Sequence, residues 1–131
     1  MTEAEAVVLT LEELKTCMEY WQRALRMQDW KIELQIVPRK DFIDDQRTAS
    51  SSWWQRCKDG EIKVLSETSY KSEAFIDPQD MEVSLVHELL HGQLDRLDIE
   101  AAGLRRDALE QAITLTAQAL VKLRRQAAAA S

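Results

Sequence analysis

The stretch Trp30-Lys31-Ile32-Glu33-Leu34-Gln35-Ile36-Val37 alternates apolar and polar residues along most of its length. A period of two sends successive side chains to opposite faces of an extended chain, so these residues read as a strand with one buried and one wet face. Pro38 ends it, since proline has no amide to give to a sheet ladder. Upstream the period changes. Thr10-Leu11-Glu12-Glu13 has the spacing of a capping box, and Leu11, Leu14, Met18, Trp21 and Leu25 follow at helical intervals, which predicts a helix over about residues 11–27. Downstream, Ala49–Cys57 and Glu61–Glu67 flank Lys58-Asp59-Gly60, whose Asp-Gly pair predicts a hairpin turn between a second and a third strand. Residues 68–76 read as a loop. Asp77-Pro78 then supplies an N-cap and a first-turn proline for a second helix running to about Leu97, with Val83, Val86, Leu90, Leu94 and Leu97 as its apolar stripe. Gly103 separates it from a last helix striped by Leu109, Ile113, Thr116, Leu120 and Leu123. The order helix, three strands, helix, helix is that of an α+β fold, a small antiparallel or mixed sheet covered by helices.

A length of 131 residues suits one domain over 1–131, with 1–9 and 126–131 expected as frayed tails. Hydrophobic residues make up 45% and charged residues 31%, the balance of a folded protein, and three glycines and two prolines favour long regular elements. Seventeen basic against 23 acidic residues give a formal charge of −6, which argues against gripping nucleic acid through a broad basic surface. No apolar run approaches the length of a membrane span. The acidic Met1–Ala6 segment followed by only Val7-Val8-Leu9 is unlike a secretory signal. Cys17 and Cys57 belong to no CxxC pair and read as reduced thiols in a cytoplasm.

His87-Glu88-Leu89-Leu90-His91 forms an HExxH motif on the second helix from the only two histidines in the chain. Positions i and i+4 share one helix face, so both imidazoles can converge on one ion, while Glu88 projects about 100° around beside them. Two neutral nitrogens plus a carboxylate suit Zn2+ with a position left for water, whose proton Glu88 would take as general base before attack on a carbonyl. No histidine remains as third ligand, so the downstream carboxylates compete. Asp95 continues the face of His87 and His91, but i and i+8 lie about 12 Å apart on a straight helix, and Asp95 could ligate only if the helix broke near Gly92. Glu110 lies level with His91 if the last two helices pair antiparallel about residues 100–101, and it sits at the margin of its helix's apolar stripe. Asp98 and Glu100 remain as further candidates, and an i,i+4 ion pair with Arg106 is the structural alternative for Glu110.

HELLH with Glu110 19 residues past His91, in Ala108-Leu109-Glu110-Gln111-Ala112, resembles the gluzincin branch of the zincin metallopeptidases, in particular the small minigluzincins. With its Trp30-Lys31-Ile32 strand opening, the chain is also similar to small phage- and prophage-encoded HExxH proteins and to SprT-like metallopeptidases. The likeness spans about residues 20–125 in architecture and rests on few specific residues. It implies His87 and His91 as zinc ligands, Glu88 as general base and Glu110 as third ligand. Leu109 stands where gluzincins carry Asn, and Thr114 where they carry an Asp that orients a histidine. Leu94 and Leu97 exclude the metzincin pattern.

In such folds a strand above the site pairs with an extended peptide, and Glu61–Glu67 is the strand expected to do so. Tyr70, in the following loop, is a candidate catalytic donor to a tetrahedral intermediate, with loop packing as its alternative. Trp53 and Trp54 should point to opposite faces of their strand, one towards the core. The leading expectation is a zinc peptidase acting on an extended peptide or protein segment. The alternatives are a zinc protein that captures a peptide or protein partner without hydrolysis, and an α+β domain with an incidental motif.

Overall fold

A computed structural model describes residues 5–42, 47–70, 77–95 and 104–130. Within them α1 (Leu11–Ala24), β1 (Lys31–Val37), β2 (Ala49–Trp54), β3 (Asp59–Leu65), α2 (Met81–Asp95) and α3 (Leu104–Ala130) follow in order, with two short 3-10 turns at Arg39–Asp41 and Glu67–Ser69. The fold is α+β.

α1 starts on the predicted capping box: Glu13 N donates to Thr10 Oγ1 at 3.1 Å and Thr10 N to Glu13 Oε1 at 2.9 Å. It ends at Ala24, short of the expected residue 27, where the chain reverses through Arg26 in the left-handed region at φ 59°. Gln22 Nε2 donates to the carbonyls of Met27 (3.0 Å) and Trp30 (3.1 Å), holding this reversal against the start of β1.

The sheet is mixed, ordered β1-β3-β2, with β1 parallel and β2 antiparallel to β3. Its helix-facing rows are apolar apart from Ser51, with Leu34, Ala49, Ile62 and Val64 buried in one cluster with Leu14, Met18 and Trp21 of α1. Trp53 packs against that cluster, whereas Trp54 is 51% exposed, as expected of neighbours on a strand. The hairpin turn is not Lys58-Asp59-Gly60. The chain turns over residues 55–58, with Lys58 at φ 56°, while Asp59 and Gly60 are strand residues paired with Trp54 and Trp53. Gly60 is there for space, since a Cβ on it would meet Trp53 Cζ3 at 2.6 Å.

α2 begins at Met81 rather than beside Pro78. The capping role expected of Asp77 belongs to Asp80, whose Oδ1 accepts from Val83 N at 3.2 Å. A second constraint fixes this start: Val7 N donates to Gln79 O (2.7 Å) and Met81 N to Val7 O (3.0 Å), so the N-terminal arm is bridged to the helix entrance. Met81, Leu85, Val86, Leu89 and Leu90 are all buried, so α2 is the central helix of the core and not one with a single apolar stripe.

α3 lies antiparallel to α2. Glu110 meets His91, Thr114 meets His87, and Arg124 donates to Glu82 at 2.6 Å, so the contacts run down α2 as they run up α3. Its buried residues are Ile113, Ala117 and Val121, with Leu109 and Leu120 beside them. Leu123, expected in the stripe, is 61% exposed, and Thr116 is exposed as well. The helix continues through the alanine run to Ala130. Its far half is clamped by charge: Glu82, only 7% exposed, accepts from Trp21 Nε1 (2.8 Å), Arg124 and Arg125, and Arg125 also grips Asp80 through two bonds of 2.7 and 3.1 Å. Those bonds to Asp80 hold the Arg125 guanidinium above its ordinary range. Burial, reinforced by Glu82, pushes the Cys17 thiol up, so it is held protonated and poorly nucleophilic.

Gly92 lies in the last turn of α2 and does not break it. A Cβ there would stand 2.6 Å from Trp53 Cε2 and Cζ2, in ring atoms with no room to retreat. Gly92→Ala is therefore expected to lower the unfolding free energy by about 1–3 kcal/mol by overpacking, despite alanine's better helix propensity, as read by urea denaturation.

Candidate metal centre

The second and third turns of α2 present His87 and His91 to α3, with ring centroids 5.0 Å apart. Glu110 reaches back from the first turns of α3 and meets both: Oε1 lies 2.8 Å from His87 Nε2 and Oε2 3.0 Å from His91 Nε2. One ligand atom from each residue lies within 4.8 Å of the other two, and this is the one such group of three found among the described residues. The His87 and His91 side chains are 18% and 25% exposed and that of Glu110 is 53% exposed. The cluster is thus a rim site, backed by the helix pair and open to solvent beside the carboxylate.

The donor set fits a divalent ion of borderline softness. Two imidazole nitrogens and a carboxylate are a donor set that zinc takes, and with one ligand atom from each residue within 4.8 Å of the others the three could close on a single ion by side-chain adjustment. Both Nε2 atoms face the same carboxylate, leaving Nδ1 for outer contacts. Thr114 Oγ1 is 3.5 Å from His87 Nδ1, at the outer limit of a hydrogen bond. This is the position where the resembled family carries an aspartate, and a hydroxyl there offers a weaker, uncharged partner.

Glu88 points elsewhere. It is 5% exposed and packs between α2 and β2, where Ser51 Oγ donates to its Oε1 at 2.7 Å and Trp53 Nε1 donates to Ser51 Oγ at 2.9 Å. One residue step on the helix gives this separation, about 100° from His87.

Of the residues expected at the site, His87, His91 and Glu110 come together, whereas the Glu88 side chain is turned to Ser51 of β2. Asp95 is the last residue of an unbroken α2, so the helix break that its ligation requires is absent and the backbone keeps it about 12 Å along the axis from His87. Asp98 and Glu100 lie outside the described residues. Tyr70 is not brought to the cluster: its hydroxyl donates to the Asp77 carbonyl, ahead of the first turn of α2, and burial with the nearby Asp77 charge raises its ionisation above the ordinary range. Strand β3 cannot receive a peptide over Glu61–Leu65, because β1 and β2 occupy both of its edges. Parallel pairing of β1 with β3, which the chain order alone does not dictate, put it in the middle.

The residue missed from the sequence is Ser51; Trp53 was expected only to pack, and Thr114 was named only as standing where the resembled family carries an aspartate. A signal for Ser51 was available: it is the polar residue of the inward row Ala49, Ser51, Trp53, and an inward hydroxyl calls for a buried partner. No family model, curated protein or solved structure matches the chain.

Proposed function

We propose that the protein is a zinc-dependent metallopeptidase in which His87, His91 and Glu110 hold the metal and Glu88 is the general base. The observation that carries this reading is the meeting of Glu110, from a separate helix, with both histidines of the HExxH motif. A surface pair of histidines does not require such a partner, and the exposed side of the cluster leaves room for water and substrate, as a catalytic site needs and a closed structural one does not. Zinc bound there would supply Lewis-acid activation of a water, lowering its pKa towards about 7. The chain's own part is to take and return the proton through Glu88 and to hold an extended peptide. Among the described residues β2 has a partner on one edge only, so β2, which adjoins α2, replaces Glu61–Glu67 as the strand we assign to peptide addition. No described helix is long and apolar enough to cross a membrane, and Cys17 and Cys57 are unpaired, which suits the cytoplasm we assign to it.

A second reading, a zinc protein that captures a peptide or protein partner without hydrolysis, is favoured by the burial of Glu88 and its bond to Ser51. Elemental analysis of untagged protein separates both from an incidental motif. About one zinc per chain is expected, removed by chelator and restored by zinc, with cleavage of an unfolded protein such as casein following the metal. Protein that takes up no zinc overturns both metal readings; zinc uptake with no cleavage leaves the capture reading.

A further inference from the structure

We infer that Trp53 and Ser51 are positioning residues for Glu88, a relay in which one clamped indole sets both the carboxylate of the base and the helix turn carrying His91. The inference rests on the reading of Glu88 as base. Its first support is steric. The Trp53 ring lies in a slot between Gly60 of β3 and Gly92 of α2, each so close that a Cβ would stand 2.6 Å from a ring atom. The Trp30 ring meets it edge-on, centroids 5.5 Å apart at 85°. An indole held by two backbones and a second indole has one orientation, and Gly92 is the residue next to His91.

The second support is the direction of the hydrogen bonds. An indole N–H can only donate, and its one donor goes to Ser51 Oγ. With that lone pair used, the serine hydroxyl turns its own proton to Glu88 Oε1, 2.7 Å away. Each link therefore donates towards the carboxylate and polarises the next. Oε1 is engaged and the carboxylate is fixed, which leaves Oε2 as the oxygen to take a proton. A carboxylate with 5% exposure has few orientations open to it once Ser51 holds one oxygen. The two contacts of Trp53 thus tie base and ligand together: its ring bears on the backbone at Gly92 and its N–H reaches Glu88 through Ser51.

The test uses the full chain labelled with 15N at its four tryptophan indoles, with the Trp53 signal assigned by its loss in Trp53→Phe. Glu88→Gln removes the charge at the end of the relay, and the Trp53 indole proton is expected to move upfield while the other three signals stay. In a Ser51→Ala background the same change should leave the Trp53 signal in place, and Ser51→Thr should restore the wild-type position. A Trp53 signal indifferent to Glu88→Gln, or one that responds equally without the Ser51 hydroxyl, overturns the relay. This readout needs neither zinc nor turnover, so a coupled Trp53 in a protein that hydrolyses nothing sinks the peptidase reading and leaves the Trp53–Ser51–Glu88 coupling standing. In a protein that does hydrolyse peptide, Ser51→Ala is expected to lower kcat about 10-fold at unchanged KM and Ser51→Thr to recover it; an unchanged kcat in Ser51→Ala removes the positioning role.

Discussion

Glu88→Gln is expected to keep the zinc and lose the hydrolysis. The substitution preserves shape and one acceptor oxygen, so Ser51 still has a partner for its hydroxyl and the packing between α2 and β2 survives. It touches none of the three side chains proposed as ligands, His87, His91 and Glu110. What it removes is the ability to accept a proton, because an amide is not a base at neutral pH, and the loss of general-base assistance costs about 10²–10⁴ in rate. Zinc stoichiometry should stay at the wild-type level and the denaturation midpoint should move little or upward, since a buried charge has been neutralised. The measurement is kcat/KM on an internally quenched peptide, with metal content taken on the same sample. Undiminished turnover in the zinc-loaded variant would remove Glu88 as the base and return the residue to a packing role.

The fold was legible where a local period settled the matter. Thr10 and Glu13 cap α1 as their spacing demanded, and the alternation of Trp30–Val37 became β1 with Leu34 buried. The register of the two last helices was anticipated on the assumption that they pair antiparallel: His91 meets Glu110 and His87 meets Thr114, at the level that assumption gives. The hairpin turn was not, because Asp59-Gly60 is a strong turn signal by itself and only the bulk of Trp53, across the strand pair, reveals that the glycine is needed for space. The α3 stripe held at Leu109, Ile113 and Leu120 and failed at Thr116 and Leu123 for a related reason. Ala117 fills a buried position that its size does not advertise, whereas Leu115 and Leu123 are 65% and 61% exposed on the opposite side. In the candidate site, the approach of both histidines on one face followed from the spacing within one helix. The relay to Glu88 did not, because Ser51 and Glu88 are 37 positions apart and come together only through the packing of β2 on α2.

Glu110→Ala is expected to weaken zinc binding by about 100-fold or more, while Asp95→Ala leaves it unchanged. Loss of partners that merely orient a ligand costs about 10–100-fold in metal affinity, so removal of a ligand itself should cost at least the upper end of that range. The geometry makes the comparison sharp. Glu110 has an oxygen within 3.0 Å of each imidazole, whereas α2 stays helical through Gly92 to Asp95 and so holds the Asp95 backbone a further turn beyond His91. Glu110 is also largely exposed, so its truncation leaves no buried cavity, and the expected cost to stability without metal is small. The informative measurement is a pair of zinc titrations against a competing chelator, with thermal melts recorded with and without zinc. Wild type and Asp95→Ala should both gain stability on zinc addition and Glu110→Ala should gain far less, because a ligand that binds only the folded state stabilises it by an amount that falls with its affinity. If Asp95→Ala is the variant that loses zinc, α2 must open at Gly92 in the metal-bound protein and the Glu110 contacts belong to the metal-free state alone. If neither variant loses it, the third ligand lies among Asp98, Glu100 and their neighbours in the connection between the helices. His87 and His91 would then remain the anchor of the site in each of the three outcomes, and only the element that completes it would change.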